Sequence, residues 1–130
     1  MSVEISMLVY SVALLVILIA IQASAGILAQ GLKAMAGSRD TLGSPAPFQA
    51  RSKRVVDNHL EGLIVFTPLV LAVSTAGVSS ELTVLGAQLF FYSRIVHAGL
   101  YLAAVPWIRP IAWAVGMAGC VMIFLELLNT

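Results

Sequence analysis

The stretch Arg54-Val55-Val56-Asp57-Asn58-His59-Leu60-Glu61-Gly62-Leu63-Ile64-Val65-Phe66-Thr67-Pro68-Leu69-Val70-Leu71 sets a cluster of ionisable and amide groups directly before an apolar run fit to enter a bilayer. On a helix, Arg54, Asn58 and Glu61 fall one above another on a single face. A carboxylate placed deep in a membrane helix costs about 2.5–3.5 kcal/mol unless something receives it, so Glu61 reads as a site. The remaining chain must supply the partner.

The 130 residues are 60% apolar and only 10% charged, with a mean hydropathy of +1.00. That composition excludes a soluble globular domain. A spanning helix needs roughly 20 mostly apolar residues, and four segments qualify, at about 5–30, 55–78, 82–104 and 107–128. The expected fold is all-α: one domain over residues 1–130, forming a four-helix transmembrane bundle. Four helices enclose a small interior, so a sizeable binding site forms more readily between subunits, which favours a homo-oligomer.

Ala23-Ser24-Ala25 has the small-x-small look of a signal-peptidase site. Glu4 in place of a basic start, and an apolar run continuing through Ile27, Leu28 and Ala29, argue that the segment is retained. Lys33, Arg39, Arg51, Lys53 and Arg54 gather in or beside the first loop, about 34–54, and Arg109 in the third, whereas the second holds only Glu81. The excess of bases predicts cytoplasmic first and third loops with both termini outside. The first loop, rich in Gly, Ser and Pro from Gly37 to Pro47, is expected to be irregular.

Span three runs opposite to span two and carries Arg94, His97 and Tyr101 on one face. At 1.5 Å per residue, Tyr101 is expected about 5 Å deep, His97 about 10 Å, level with Glu61, and Arg94 about 15 Å. Arg94 is expected to pair with Glu61, and Asp57 and His59 to point away toward a neighbouring helix end or solvent. Arg54, Asn58, Glu61, His97, Tyr101 and Arg109 thus form a polar layer near the cytoplasmic side. A fitting ligand carries carboxylates for arginine, an amine for Glu61 and amides for Asn58, while an apolar partner enters from the bilayer.

Plainer roles exist for the same residues. The basic cluster can set topology and touch anionic lipid, Glu61 with Arg94 can fix helix register, and His97 with Tyr101 can be interhelical glue. Trp107 and Trp113 read as interfacial anchors, Pro68 as a kink, and Ala112, Gly116 and Gly119 or Cys120 as a close-packing stripe. No nucleotide-binding glycine motif, metal-ligand spacing or basic-aromatic surface is present, so neither a metal nor nucleic acid is expected.

Arg54-x3-Asn58-x2-Glu61, Pro68, Arg94-x2-His97-x3-Tyr101 and Arg109, in that order in a four-span chain, resemble the membrane-associated proteins in eicosanoid and glutathione metabolism, the MAPEG family. Gly37-Ser38-Arg39-Asp40 makes the chain similar to bacterial-type members. The resemblance implies a homotrimer in a bacterial inner membrane, with glutathione at each subunit interface near the cytoplasm and a lipophilic electrophile arriving from the bilayer. It implies glutathione contacts from Arg54, Asn58, Glu61, His97 and Tyr101, with Arg94 beside them, and a catalytic Arg109 acting on the thiol. Asp57, Pro110 and Trp113 depart from the prostaglandin-forming member, which has arginine, serine and tyrosine there, so eicosanoid synthesis is not implied.

The expected function is a glutathione-dependent transferase or peroxidase. A small proton-coupled multidrug exporter is the alternative from another class, although span one lacks the embedded acid such exporters carry. A non-catalytic lipid-binding trimer is the third reading.

Overall fold

A computed structural model describes residues 1–130 as α1 (Val3–Gln30), α2 (Leu32–Ala36), α3 (Pro47–Thr75), α4 (Glu81–Leu102) and α5 (Arg109–Leu128), with no strands. α1, α3 and α5 are long and apolar enough to cross a membrane. α4 has the length, but Gln88, Arg94 and His97 interrupt its apolar character.

Local chemistry sets the helix ends. The Ser2 hydroxyl accepts from Ile5 N at 3.2 Å and starts α1. Ser80 and Thr83 cap each other at the start of α4, Thr83 N donating to Ser80 Oγ at 3.2 Å and Ser80 N to Thr83 Oγ1 at 2.9 Å. α3 begins at Pro47, where the fixed ring torsion suits the first helical position and Ala46 N donates to the Gln49 side chain. It therefore starts two turns before the apolar run, and Arg51, Lys53 and Arg54 lie on a helix rather than in the loop the hydropathy marks. Residues 37–46 are irregular, as their Gly, Ser and Pro content predicts, while the short α2 precedes them.

α3 and α4 both end in Schellman motifs. Val78 N donates to Val73 O and Gly77 N to Ser74 O after α3; Val105 N donates to Leu100 O and Ala104 N to Tyr101 O after α4. The left-handed position is Gly77 (φ 70°) in the first and Ala104 (φ 59°) in the second. Only the first is free of the Cβ penalty.

α4 and α5 share the most extensive contact, made possible by glycine. A Cβ added to Gly86 would stand 2.6 Å from the Gly119 carbonyl oxygen, and one on Gly116 would meet Ser93 Oγ at 2.7 Å. The stripe Ala112, Gly116, Gly119 and Cys120 is buried along this seam. Behind it Phe66 and Phe90 stack with ring centres 4.0 Å apart, beside Val70 and Ile123. At the far end, buried Glu4 accepts from Ser79 Oγ at 2.9 Å and Thr83 Oγ1 at 2.6 Å, tying α1 to α4. Only 29 of the 130 residues are buried, so most of the apolar helix surface, including Leu28, Ile64 and Ile111, points outward. Such a surface requires lipid or further protein around it.

Candidate functional site

α3, α4 and α5 bring the polar residues together at the end of the bundle that carries the first and third loops. Tyr101, in the last turn of α4, is the hub. Arg54 Nε donates to its hydroxyl at 3.0 Å, and the Arg109 guanidinium lies 4.4 Å from its ring centre. The His97 ring is 5.6 Å away, one turn deeper. Both guanidiniums are favoured by the ring's electron-rich face or hydroxyl, yet they bring two positive charges to one phenol.

Beside this hub is a cavity of about 500 Å³, with Asn58 and Glu61 on one wall, His97 and Tyr101 on a second, and Trp107, Arg109, Pro110 and Trp113 on a third. Trp107 is 87% exposed, so the cavity opens on the outside of a single chain. His97 is buried, and its Nδ1 has no hydrogen-bond partner. Arg54 lies at the edge, joined to the cavity through Tyr101. Of the sequence-selected residues, Asn58, Glu61, His97, Tyr101 and Arg109 line the cavity directly.

Arg94 is placed differently from the sequence expectation. It is 1% exposed and forms no ion pair with Glu61; the only salt bridge in the chain is the exposed Lys53–Asp57 pair at 2.8 Å. Arg94 instead donates through Nη2 to Asn58 Oδ1 at 2.6 Å and through Nε to His59 Nδ1 at 3.4 Å. The physical reason is rotational. Residues three apart on a helix differ by about 60° in direction, so Arg94 turns behind the cavity while His97 faces it.

His59, expected to face a neighbouring helix end or solvent, faces a neighbouring helix, but along its length and fully buried. It is buried beside α1, its Nε2 2.8 Å from the Ser11 carbonyl oxygen. A carbonyl only accepts, so Nε2 carries the hydrogen and Nδ1 keeps a lone pair for Arg94. The chain Ser11, His59, Arg94, Asn58 therefore fixes the amide: with Oδ1 held by Arg94, the Asn58 NH2 is left for the cavity. Asp57, by contrast, is exposed, as expected.

Sequence reasoning also missed Trp107, Pro110 and Trp113 as cavity walls. The available signal was the short connection from Ala103 to Ile108, which cannot carry α5 far from Tyr101. Ala104 and Trp107 (φ 70°) both adopt left-handed backbone, which costs a non-glycine residue about 1–2 kcal/mol, and this strain lies at the cavity rim.

Helices of this length and apolarity, with a polar cavity at one end of the bundle, define an integral membrane protein with a recessed polar site. The chain belongs to the MAPEG family, whose family model matches residues 7–129. No curated protein and no solved structure matches the chain.

Proposed function

We propose that this protein is a glutathione-dependent transferase or peroxidase acting on lipophilic electrophiles, assembled as a homotrimer of four-span subunits. Membership of the MAPEG family, which includes such enzymes, supports the reading. The observation that carries it is the charge imbalance of the cavity. Arg54 and Arg109 converge on Tyr101 with Arg94 behind, and the one carboxylate lining the cavity, Glu61, is bound to none of them.

Glutathione matches that imbalance. Its two carboxylates and thiolate suit the guanidiniums, its ammonium suits unpaired Glu61, and a peptide carbonyl suits the free Asn58 NH2. Arg109, in the first turn of α5, adds its charge to the positive helix end, lowering the cost of ionising a thiol whose ordinary pKa is about 8.5. In a transfer, the thiolate sulfur bonds the electrophilic carbon and the leaving group departs with its electron pair. In a reduction, the thiolate sulfur bonds the terminal peroxide oxygen as the O–O bond breaks and the alkoxide leaves to take a proton from solvent; a second glutathione converts the sulfenic acid to disulfide and water.

The cavity's outward opening favours completion by a neighbouring subunit, and the outward apolar helix faces offer an entry path for lipophilic substrate. The excess of Lys and Arg in the first and third loops supports a cytoplasmic site with both termini outside. Arg109→Ala should lower turnover of an aryl halide or lipid hydroperoxide about 10²-fold or more while leaving glutathione affinity within a few-fold. Unchanged turnover would refute the role of Arg109.

The unpaired Glu61 also favours a second reading, a proton-coupled exporter, because the arginine partner expected from the sequence does not pair with it. Dye efflux that is driven by a proton gradient and abolished in Glu61→Gln would select that reading.

A further inference from the structure

A second pocket, of about 330 Å³, lies on the other side of Arg54, between α1, the start of α3 and the first loop. The loop is fastened over it. Gln30 Nε2 donates to Ser44 O at 3.2 Å and to Gln49 Oε1 at 3.3 Å, and Gly43 N donates to Gln30 Oε1 at 3.2 Å. Arg39, Lys53 and Arg54 line the pocket, and no carboxylate does. Lys53 has Asp57 as a partner, but Arg39 bonds only through Nε, to Met35 O at 2.8 Å, and Arg54 only through Nε, to Tyr101. The terminal nitrogens of both guanidiniums are therefore free. Arg39 also has left-handed backbone (φ 66°), so the loop holds it in place against a local cost.

The floor of the pocket supplies an independent observation. Gln22 lines it and its amide bonds to no other residue, although it sits in the apolar α1, eight residues or about 12 Å before Gln30. One turn deeper, Ile19 is an exposed apolar surface.

We propose that this pocket is a site for a phosphate ester, occupied by the headgroup of an anionic glycerophospholipid. Forked guanidiniums match phosphate oxygens, the Gln22 amide reaches the level of glycerol and ester oxygens, and Ile19 continues the apolar path for an acyl chain. A free inorganic anion would use the cations but has no need of Gln22. The site adjoins the proposed glutathione site and shares Arg54 with it, whereas Arg39, Lys53 and Gln22 do not line that cavity.

The test titrates the full-length protein in uncharged detergent with short-chain phosphatidylglycerol and, in parallel, phosphatidylcholine, read by native mass spectrometry. The wild type should prefer phosphatidylglycerol. Arg39→Ala should cost about fivefold of that affinity and leave phosphatidylcholine unchanged. Arg39→Lys should restore most of it. Gln22→Leu, which alters no charge, should weaken phosphatidylglycerol as well, and Lys33→Ala, removing a cation of α2 outside the pocket, should change nothing. Displacement of the lipid by millimolar sn-glycerol 3-phosphate would support the phosphate-ester site with a soluble occupant; no displacement supports the lipid. Equal affinity of the wild type for both lipids, or a Lys33→Ala loss as large as that of Arg39→Ala, would overturn the proposal.

Discussion

His59→Phe tests whether a residue outside the cavity shapes it. The substitution keeps an aromatic ring in the buried position, where His59 already stacks on Phe90 with centres 6.5 Å apart, and exchanges both nitrogens for carbon in a ring one atom larger. Arg94 then loses the Nδ1 acceptor 3.4 Å from its Nε, and with Nη1 already unpartnered it keeps a single bond, to Asn58. A buried charged donor left without an acceptor costs about 1–3 kcal/mol, so thermal unfolding in detergent should shift down accordingly. The second effect is on the site. If Arg94 loosens its hold on Asn58 Oδ1, the amide no longer presents NH2 to the cavity in a fixed orientation, and losing about 1 kcal/mol there raises the glutathione Kd about fivefold. A double-mutant cycle with Asn58→Ala separates this from general damage: in that background His59→Phe should cost no further affinity while still lowering stability. Additive losses of affinity, or wild-type stability of His59→Phe, would refute the coupling.

Two further outcomes concern the scaffold. Gly119→Ala should destabilise the protein by about 1–3 kcal/mol, because the new methyl meets the Gly86 carbonyl oxygen and Phe90 N, at 3.2 Å, and α4 and α5 must separate; unfolding in detergent measures it. The two helix ends predict opposite signs for one exchange. Ala104→Gly should stabilise by about 0.5–1 kcal/mol, the relief of left-handed strain exceeding the added freedom of the unfolded chain, whereas Gly77→Ala should destabilise by about 1 kcal/mol.

The sequence exposes those parts of the fold that depend on period and length. Helical spacing puts Asn58 and Glu61 on one face and His97 and Tyr101 on another, and the structure brings both faces to one cavity with Arg109 over Tyr101. What it conceals depends on which neighbour stands behind a face. From α3 alone His59 points toward either a neighbouring helix end or solvent; only the position of α1, with its Ser11 carbonyl, makes it a buried link. Arg94 and Glu61 are opposite charges at plausible depths, but pairing needs a direction that depth does not supply, and the nearer Asn58 takes the guanidinium. Gly86 has no periodic partner in its own helix to mark it, because its reason is the Gly119 backbone on α5. Glu4, legible only as an acid marking the outer end, is a buried acceptor because Ser79 and Thr83 arrive from the other end of the chain.

The central claim is that the cavity beside Tyr101 holds glutathione, with its ammonium on Glu61. A calorimetric titration of glutathione into the purified protein in detergent, repeated on Glu61→Ala and Arg54→Ala, tests it most directly. Saturable binding is expected in the wild type, with each substitution weakening it about tenfold or more, the loss of one charge-assisted contact of about 1.5–3 kcal/mol. No detectable heat from the folded wild type, or binding indifferent to both substitutions, would contradict it.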